Sequence, residues 1–371
     1  MNYVLLIITL MVIIPLIVIG FFKLKQPFWS RQPVFHLYNI TYWIKPPGII
    51  QHDNIKKDSR FFDPRIHHAF SHSYPENEQI SIVKFIKENF VTINDDGVKY
   101  NPTHKSVFSN LTSNSILSIK YNDYDTKDKI IGCISGRPVV CFFKDIKEPI
   151  YANYVDYLCV HKDERKQGIA PKLIYSYYHH QRENTGYKIC LFKKEGTLTS
   201  IIPVCTYFTY GFHISNYIPP KMIDVIKIKN IKIIYDNLML FKQKFGCVIM
   251  PNARDFISYN DIHIYGIVNL QQIYCLFFFR TTYSKINNVD TVECFASINN
   301  TDKNTFYQSF IGCIMKYFKN KILIIEDLSD NTILVKELNN YFNIKFKSAT
   351  GYYYYNYGIK PILPDKVFII N

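Results

Sequence analysis

YVDYLCVHKDERKQGIAPKLI, residues 154–174, decides how this chain folds. Residues 154–160 are rich in aromatic and β-branched side chains and read as a central strand. Residues 161–168 are charged and turn-like, and after them Leu173, Ile174 and Tyr177 recur at helical spacing, with Pro171 acceptable only in the first turn. Strand, basic loop and helix in that order place backbone N–H groups and the positive end of a helix dipole around an anion. Gly168 and Ala170 leave room for a pyrophosphate to approach, while Arg165 and Lys166 add positive charge. The competing reading is a basic, solvated turn that only caps a helix.

Outward from this unit the same grammar recurs. Residues 76–89 carry Ile80, Ile82, Val83 and Ile86 among charges, the spacing of an amphipathic helix, before the polar turn at 94–97. Residues 129–143 read as two strand segments broken at Gly136-Arg137-Pro138. In the second half, 266–280 is strand-rich, 307–318 helical, 321–326 a strand and 331–342 a helix. This predicts an α/β fold with mixed sheets, built from two similar halves packed as one compact body.

The chain has 371 residues, 48% hydrophobic and 20% charged, a balance that excludes wholesale disorder and a multi-span membrane protein. Lys+Arg exceed Asp+Glu by 44 − 30 = 14, so polyanions are natural partners: nucleic acid, anionic lipid or a phosphorylated cofactor. Nine cysteines, odd in number and never in a C-x-x-C pair, support neither a disulfide framework nor a zinc finger and favour a reducing compartment. Residues 4–22 hold no charge, enough to cross a hydrocarbon core of about 30 Å as a helix. With Lys23, Lys25 and Arg31 on the C-terminal flank, the expectation is a single-pass anchor over 1–23 with the body facing the cytoplasm. The glycosylation triplets at Asn39, Asn110 and Asn299 are what an Asn-rich chain produces by chance.

The loop Arg165-Lys166-Gln167-Gly168-Ile169-Ala170 resembles the R/Q-x-x-G-x-G/A signature of GNAT-superfamily acyltransferases. The longer run, Leu158-Cys159-Val160-His161-Lys162 followed by Ala170-Pro171-x-Leu173-Ile174, resembles the F-L-C-V-H-K … A-P-x-L-I stretch of glycylpeptide N-myristoyltransferases. Phe28-Trp29 with Gln32-Pro33-Val34 is similar to that family's F-W-x-x-Q-P-V, Cys205-Thr-Tyr207-Phe208 to its C-R-Y-W, and Tyr353-Tyr-Tyr-Asn356 with Lys366-Val367 … Asn371 to its C-terminal segment. These motifs run in order from Phe28 to Asn371.

The resemblance implies two GNAT-like halves, 24–215 binding acyl-CoA and 216–371 contributing most of the peptide site. It implies transfer of myristate from myristoyl-CoA, the acyl donor, to the α-amine of proteins that begin with glycine, without a metal. The backbone amides of Tyr157 and Leu158 would hold the thioester oxyanion, where preorganised donors count most. The main-chain carboxylate of Asn371 would deprotonate the glycine ammonium; the apolar residues 367–370 before it read as a buried terminal strand. Acyl-CoA contacts are implied at Phe28, Trp29, Leu158, Cys159, Val160, Arg165, Lys166, Gln167, Gly168, Ile169, Ala170 and Pro171. Peptide contacts are implied at Phe90, Asp95, Asp96, Asp156, Tyr207 and Asp327.

The chain departs from the family where an acidic loop is thinned to Asp95 and Asp96, and where Thr209 and Gln26 replace a histidine and a tyrosine. Two other readings stay open: a GNAT N-acetyltransferase, whose acyl pocket behind Phe28-Trp29 would be filled, and an inactive membrane-tethered binding protein. Nucleic acid is a weaker partner, resting on the basic strand face expected at 227–233, and a monomer is favoured. His67, His68 and His72 lack a nearby carboxylate or cysteine in sequence and read as surface histidines rather than a metal site.

Overall fold

The computed structural model describes residues 2–53, 55–91, 97–112, 114–214, 222–269 and 272–370. The helices that frame the site are α1 (Asn2–Lys25), α2 (Ile40–Ile44), α3 (Glu76–Asn89), α4 (Ile169–Thr185), α5 (Lys303–Tyr317) and α6 (Asn331–Tyr341). The strands are β1 (Ile116–Tyr121), β2 (Ile130–Phe143), β3 (Ile150–Val160), β4 (Cys190–Glu195), β5 (Cys205–His213), β6 (Cys247–Met250), β7 (Ile262–Asn269), β8 (Gln272–Ile286), β9 (Val289–Asn299), β10 (Ile322–Glu326), β11 (Ile344–Tyr355) and β12 (Val367–Ile369).

Two units of the same design form one extended mixed sheet, in the order β12-β6-β2-β3-β4-β11-β5-β10-β9-β8-β7. In the first, β2 and β3 are antiparallel, α4 crosses over, and β4 returns parallel to β3. The second repeats this with β8, β9, α5 and β10, where β10 lies parallel to β9. The halves exchange strands: β11 pairs with β4 of the first unit, and β5 pairs with β10 of the second. Each crossover helix buries its apolar stripe, Leu173, Tyr177 and Tyr178 from α4 and Phe306, Phe310 and Ile314 from α5.

Two elements differ from the sequence reading. β2 is continuous through Gly136-Arg137-Pro138. Gly136 is required because a Cβ there would collide with the Tyr177 hydroxyl, so a close approach, not a turn, explains the glycine. The basic strand face expected at 227–233 reduces to a two-residue edge strand, Ile226–Lys227, followed by a short helix at Lys232–Asp236. α1 fills the expected N-terminal range as a 24-residue helix containing Pro15. Several side chains in its first twelve residues lie outside the described set, and among the described residues no helix is long and apolar enough to cross a membrane.

The last strand, β12, runs parallel to β6 and joins two cores. Its period of two sends Val367 and Ile369 to one side with Val139, Cys141 and Leu191, and Phe368 and Ile370 to the other with Phe245, Phe278 and Phe295. All four are at most 1% exposed. At about 1.5–3 kcal/mol for each large apolar side chain buried, this is a structural strand rather than a tail.

Candidate active site

The site begins at an irregularity in β3. Cys133 pairs with Cys159 and Ser135 with Asp156, so Tyr157 and Leu158 together face the single residue Ile134, which makes a β-bulge. Tyr157 adopts φ 48°, a left-handed conformation that costs a bulky residue energy and is held here by its surroundings. Its ring is buried against Phe90, edge to face at 5.4 Å. Its N–H donates to Asp156 Oδ1 at 2.8 Å, and its carbonyl accepts from the Cys133 thiol at 3.4 Å.

Beyond the bulge the chain enters the basic loop. Gly168 (φ 80°) precedes α4, no side chain caps it, and a Cβ at this position would meet nothing within 4 Å. Pro171 has no N–H to offer, and the amides of Ile169 and Ala170 in the first turn have no acceptor within the helix, the arrangement that receives phosphate. Lys166, Gln167 and Gly168 are exposed around it. Arg165 has a different task from the one its charge suggests. Its Nε donates to the Val160 carbonyl at 3.3 Å and its Nη2 to the Asn89 carbonyl at 2.8 Å, while Asn89 Oδ1 accepts from Lys162 N. These bonds fasten the loop to the end of α3.

The bulge opens into a cavity of about 730 Å³. One wall is apolar and aromatic, formed by Trp29, Ile134, Ile174, Tyr177, Phe192 and Tyr355; the other is polar, formed by Arg137, Asp156, Lys193, Asp261, Arg280 and Glu293. Tyr157 and Leu158 both line the cavity. Trp29 is held by stacking on Phe192 at 5.7 Å and by the edge of Phe28 at 5.0 Å.

The polar wall is a layer of fixed charges. Lys193 Nζ lies 2.6 Å from Glu326, 2.9 Å from Glu195 and 3.7 Å from Glu293, and Arg280 lies 3.6 Å from Glu293. Burial, strengthened by the neighbouring Glu293 charge, pushes Glu326 up to about 7 despite its lysine partner. Glu293 feels the same burial, but Lys193 and Arg280 outweigh it and hold its carboxyl below the usual range. Arg137 is 4% exposed, sits over the rings of Tyr154 and Tyr259, and reaches Asp156 Oδ2 at 3.8 Å. Its Nε has no hydrogen-bond partner among the described residues. Asp261 accepts from the Tyr283 hydroxyl at 2.5 Å and from Asn110 at 3.2 Å, and burial raises its carboxyl.

Of the residues singled out in the sequence, Trp29, Phe90, Asp156, Tyr157 and Leu158 come together around the cavity. Lys166 to Pro171 form the separate loop and helix start, and Cys159 is buried beside Cys133. Phe28 supports Trp29 from behind, packed on Phe61. Tyr207 lies one layer below the polar wall, donating to Glu326 Oε2 at 2.8 Å. Asp327 does not line the cavity; its amide donates to the Phe208 carbonyl and burial raises its carboxyl. Asp95, Asp96 and Asn371 lie outside the described residues. The histidines form a different group: His68 stacks on His180 at 4.6 Å, and among the described residues no cluster is arranged to hold a metal.

The whole fold superimposes on crystal structures of Saccharomyces cerevisiae N-myristoyltransferase with bound myristoyl-CoA. In one of them the TM-score is 0.72 at 17% identity, with 91% of this chain and 94% of that one covered. In another, determined with myristoyl-CoA and inhibitors, 95% of this chain and 96% of that one are covered at the same score. The chain has the N-myristoyltransferase fold. Among curated proteins, glycylpeptide N-tetradecanoyltransferase from Plasmodium falciparum is 27% identical over 163 residues, which is 41% of this chain and 38% of that protein. The match therefore spans well under half the length of that relative, whereas the N-myristoyltransferase fold extends over nearly the entire chain. No family profile matches the chain.

Proposed function

We propose that this protein transfers myristate from myristoyl-CoA to the N-terminal glycine amine of target proteins. The observation that carries the reading is the bulge at Tyr157–Leu158, which lines one cavity together with apolar residues suited to an acyl chain and charged residues suited to a peptide terminus. The open first turn of α4 receives the CoA pyrophosphate. The acyl chain runs past Trp29, Ile174 and Phe192, each buried methylene contributing about 0.8 kcal/mol. The size of the cavity that Trp29 lines, about 730 Å³, favours a long acyl group over acetyl.

The thioester oxygen takes the bulge amides, a contribution on the order of 10²–10³ in rate for each such donor. The Tyr157 amide is already engaged by Asp156, so the side chain must turn away as the thioester arrives. Turned toward the charged wall, its carboxylate pairs with the glycine ammonium. The ammonium loses its proton, the free amine attacks the thioester carbon, and the C–S bond breaks to release CoA as its thiol. α1, followed by Lys23, Lys25 and Arg31, anchors the body on the cytoplasmic side, where a product with one marginally binding C14 chain needs to arrive. The test is incubation of the full chain in detergent with radiolabelled myristoyl-CoA and peptides starting with Gly or Ala. Transfer to the Gly peptide alone is expected; equal labelling, or none, rejects the reading.

A further inference from the structure

We infer that Leu37, Ile40, Trp43 and Ile44 form a patch that rests on an anionic lipid surface. The inference deepens the proposed membrane role of α1, and its test is chosen so that the two can fail separately. In α2, Ile40, Trp43 and Ile44 follow i, i+3, i+4 spacing, so they share one helix face. They are 74%, 67% and 80% exposed, and Leu37 just before them is 62% exposed. The opposite face is fixed: Tyr42 is 6% exposed, packs on Phe35 and donates its hydroxyl to the Ile359 carbonyl at 3.0 Å. A turn held from one side that shows four large apolar side chains to solvent, with Thr41 as the one exposed polar residue within the helix, is a surface built for contact.

Three observations select lipid as the occupant. The patch adjoins the place where α1 meets the body: Phe22 stacks on Tyr38 at 5.8 Å, and Ser200 donates to Gln26 at 3.2 Å. Phe21 and Leu24, at 58% and 84% exposure, continue the apolar surface onto α1 itself. The charge of this segment has one sign, since residues 1–52 contain Lys23, Lys25, Arg31 and Lys45 and no Asp or Glu. A tryptophan beside cations is the composition of a bilayer interface. Trp29, which walls the acyl pocket, lies between α1 and α2, so seating the patch brings the pocket wall close to the lipid surface.

The chain has two tryptophans, which makes the test direct. Full-length protein is reconstituted in phosphatidylcholine/phosphatidylserine vesicles with plain or brominated acyl chains, and the spectrum of Trp43→Phe is subtracted to isolate the Trp43 signal. The expected result is a blue-shifted Trp43 emission that loses at least half its intensity in brominated lipid, with weaker quenching in vesicles lacking phosphatidylserine. Ile40→Ser/Ile44→Ser, two exposed positions, should reduce the quenching while the protein still floats with vesicles. A water-like, unquenched Trp43 in protein that floats overturns the patch and leaves the anchor standing. Protein that does not float overturns both. Shielding from acrylamide without bromine quenching points to a second copy of the chain and also overturns the proposal.

Discussion

The two halves of the molecule share a strand, crossover helix and parallel strand, and both carry a bulge before the helix. In β3 the extra position is Tyr157–Leu158 opposite Ile134; in β9 it is Phe295, between the pairs Phe278–Ala296 and Phe279–Cys294. Past the bulge the halves part ways. The first continues into a basic loop and an uncapped helix start at Gly168, while in the second Asp302 caps α5 by accepting from the amides of Asn304 and Thr305. One unit leaves its helix start without a side-chain cap, and the other satisfies it with its own carboxylate. The bulge of the second half is likewise filled, with Phe295 buried at 1% exposure among Phe278 and Ala296. The repeated scaffold therefore leaves one helix start uncapped and caps the other, and it fills the second bulge with core.

This comparison can be broken from several directions. The largest effect is expected at the uncapped helix start, where titration calorimetry alongside initial rates separates acyl-CoA affinity from turnover. Gly168→Asp gives the first half the plug of the second. Repulsion of ~1–4 kcal/mol between charges about 4 Å apart should weaken acyl-CoA binding at least about tenfold while circular dichroism stays native. Its mirror, Asp302→Ala, should lower Tm by a few degrees through loss of a helix cap and leave acyl-CoA binding as it was.

Asp156→Ala releases the Tyr157 amide before any peptide arrives. Thiol release from acyl-CoA without peptide should rise several-fold, and KM for the Gly peptide should rise by roughly tenfold, the size of one charged hydrogen bond. Unchanged KM would remove Asp156 from the peptide site. The smallest effect concerns Glu326, which titrates at about 7 in the fold against 4.5 ordinarily. The folded state holds that proton more tightly, so wild-type stability declines as pH climbs from 4.5 through about 7 and then levels. Glu326→Gln escapes this decline, and its Tm advantage over wild type should grow by a few degrees between pH 5 and pH 8.

The sequence made the strand, loop and helix at 150–185 readable because their signals are local: turn chemistry at Gly168, helical spacing after it, and β-branched residues before it. α3 was equally plain from its charges and apolar spacing. The left-handed Tyr157 left no signal, because a tyrosine there has no turn residue beside it and is held by distant packing. The charged wall was invisible for a related reason. Lys193 meets Glu326 across 133 positions, and only the exchange of β5 and β11 brings them together. Arg137 was misread as part of a break because Gly-Arg-Pro is turn-like in isolation, whereas Tyr177 packing explains the glycine.

The exchanged strands have a consequence during synthesis. β4 is complete at residue 195, but its partner β11 begins at 344. At about 5–20 residues per second, an open sheet edge emerges from the ribosome roughly 7–30 seconds before the strand that covers it. Such an edge is a template for aggregation. The nascent first half thus carries an unpaired edge until the second arrives, and neither half, cut free by protease, should persist as a stable fragment.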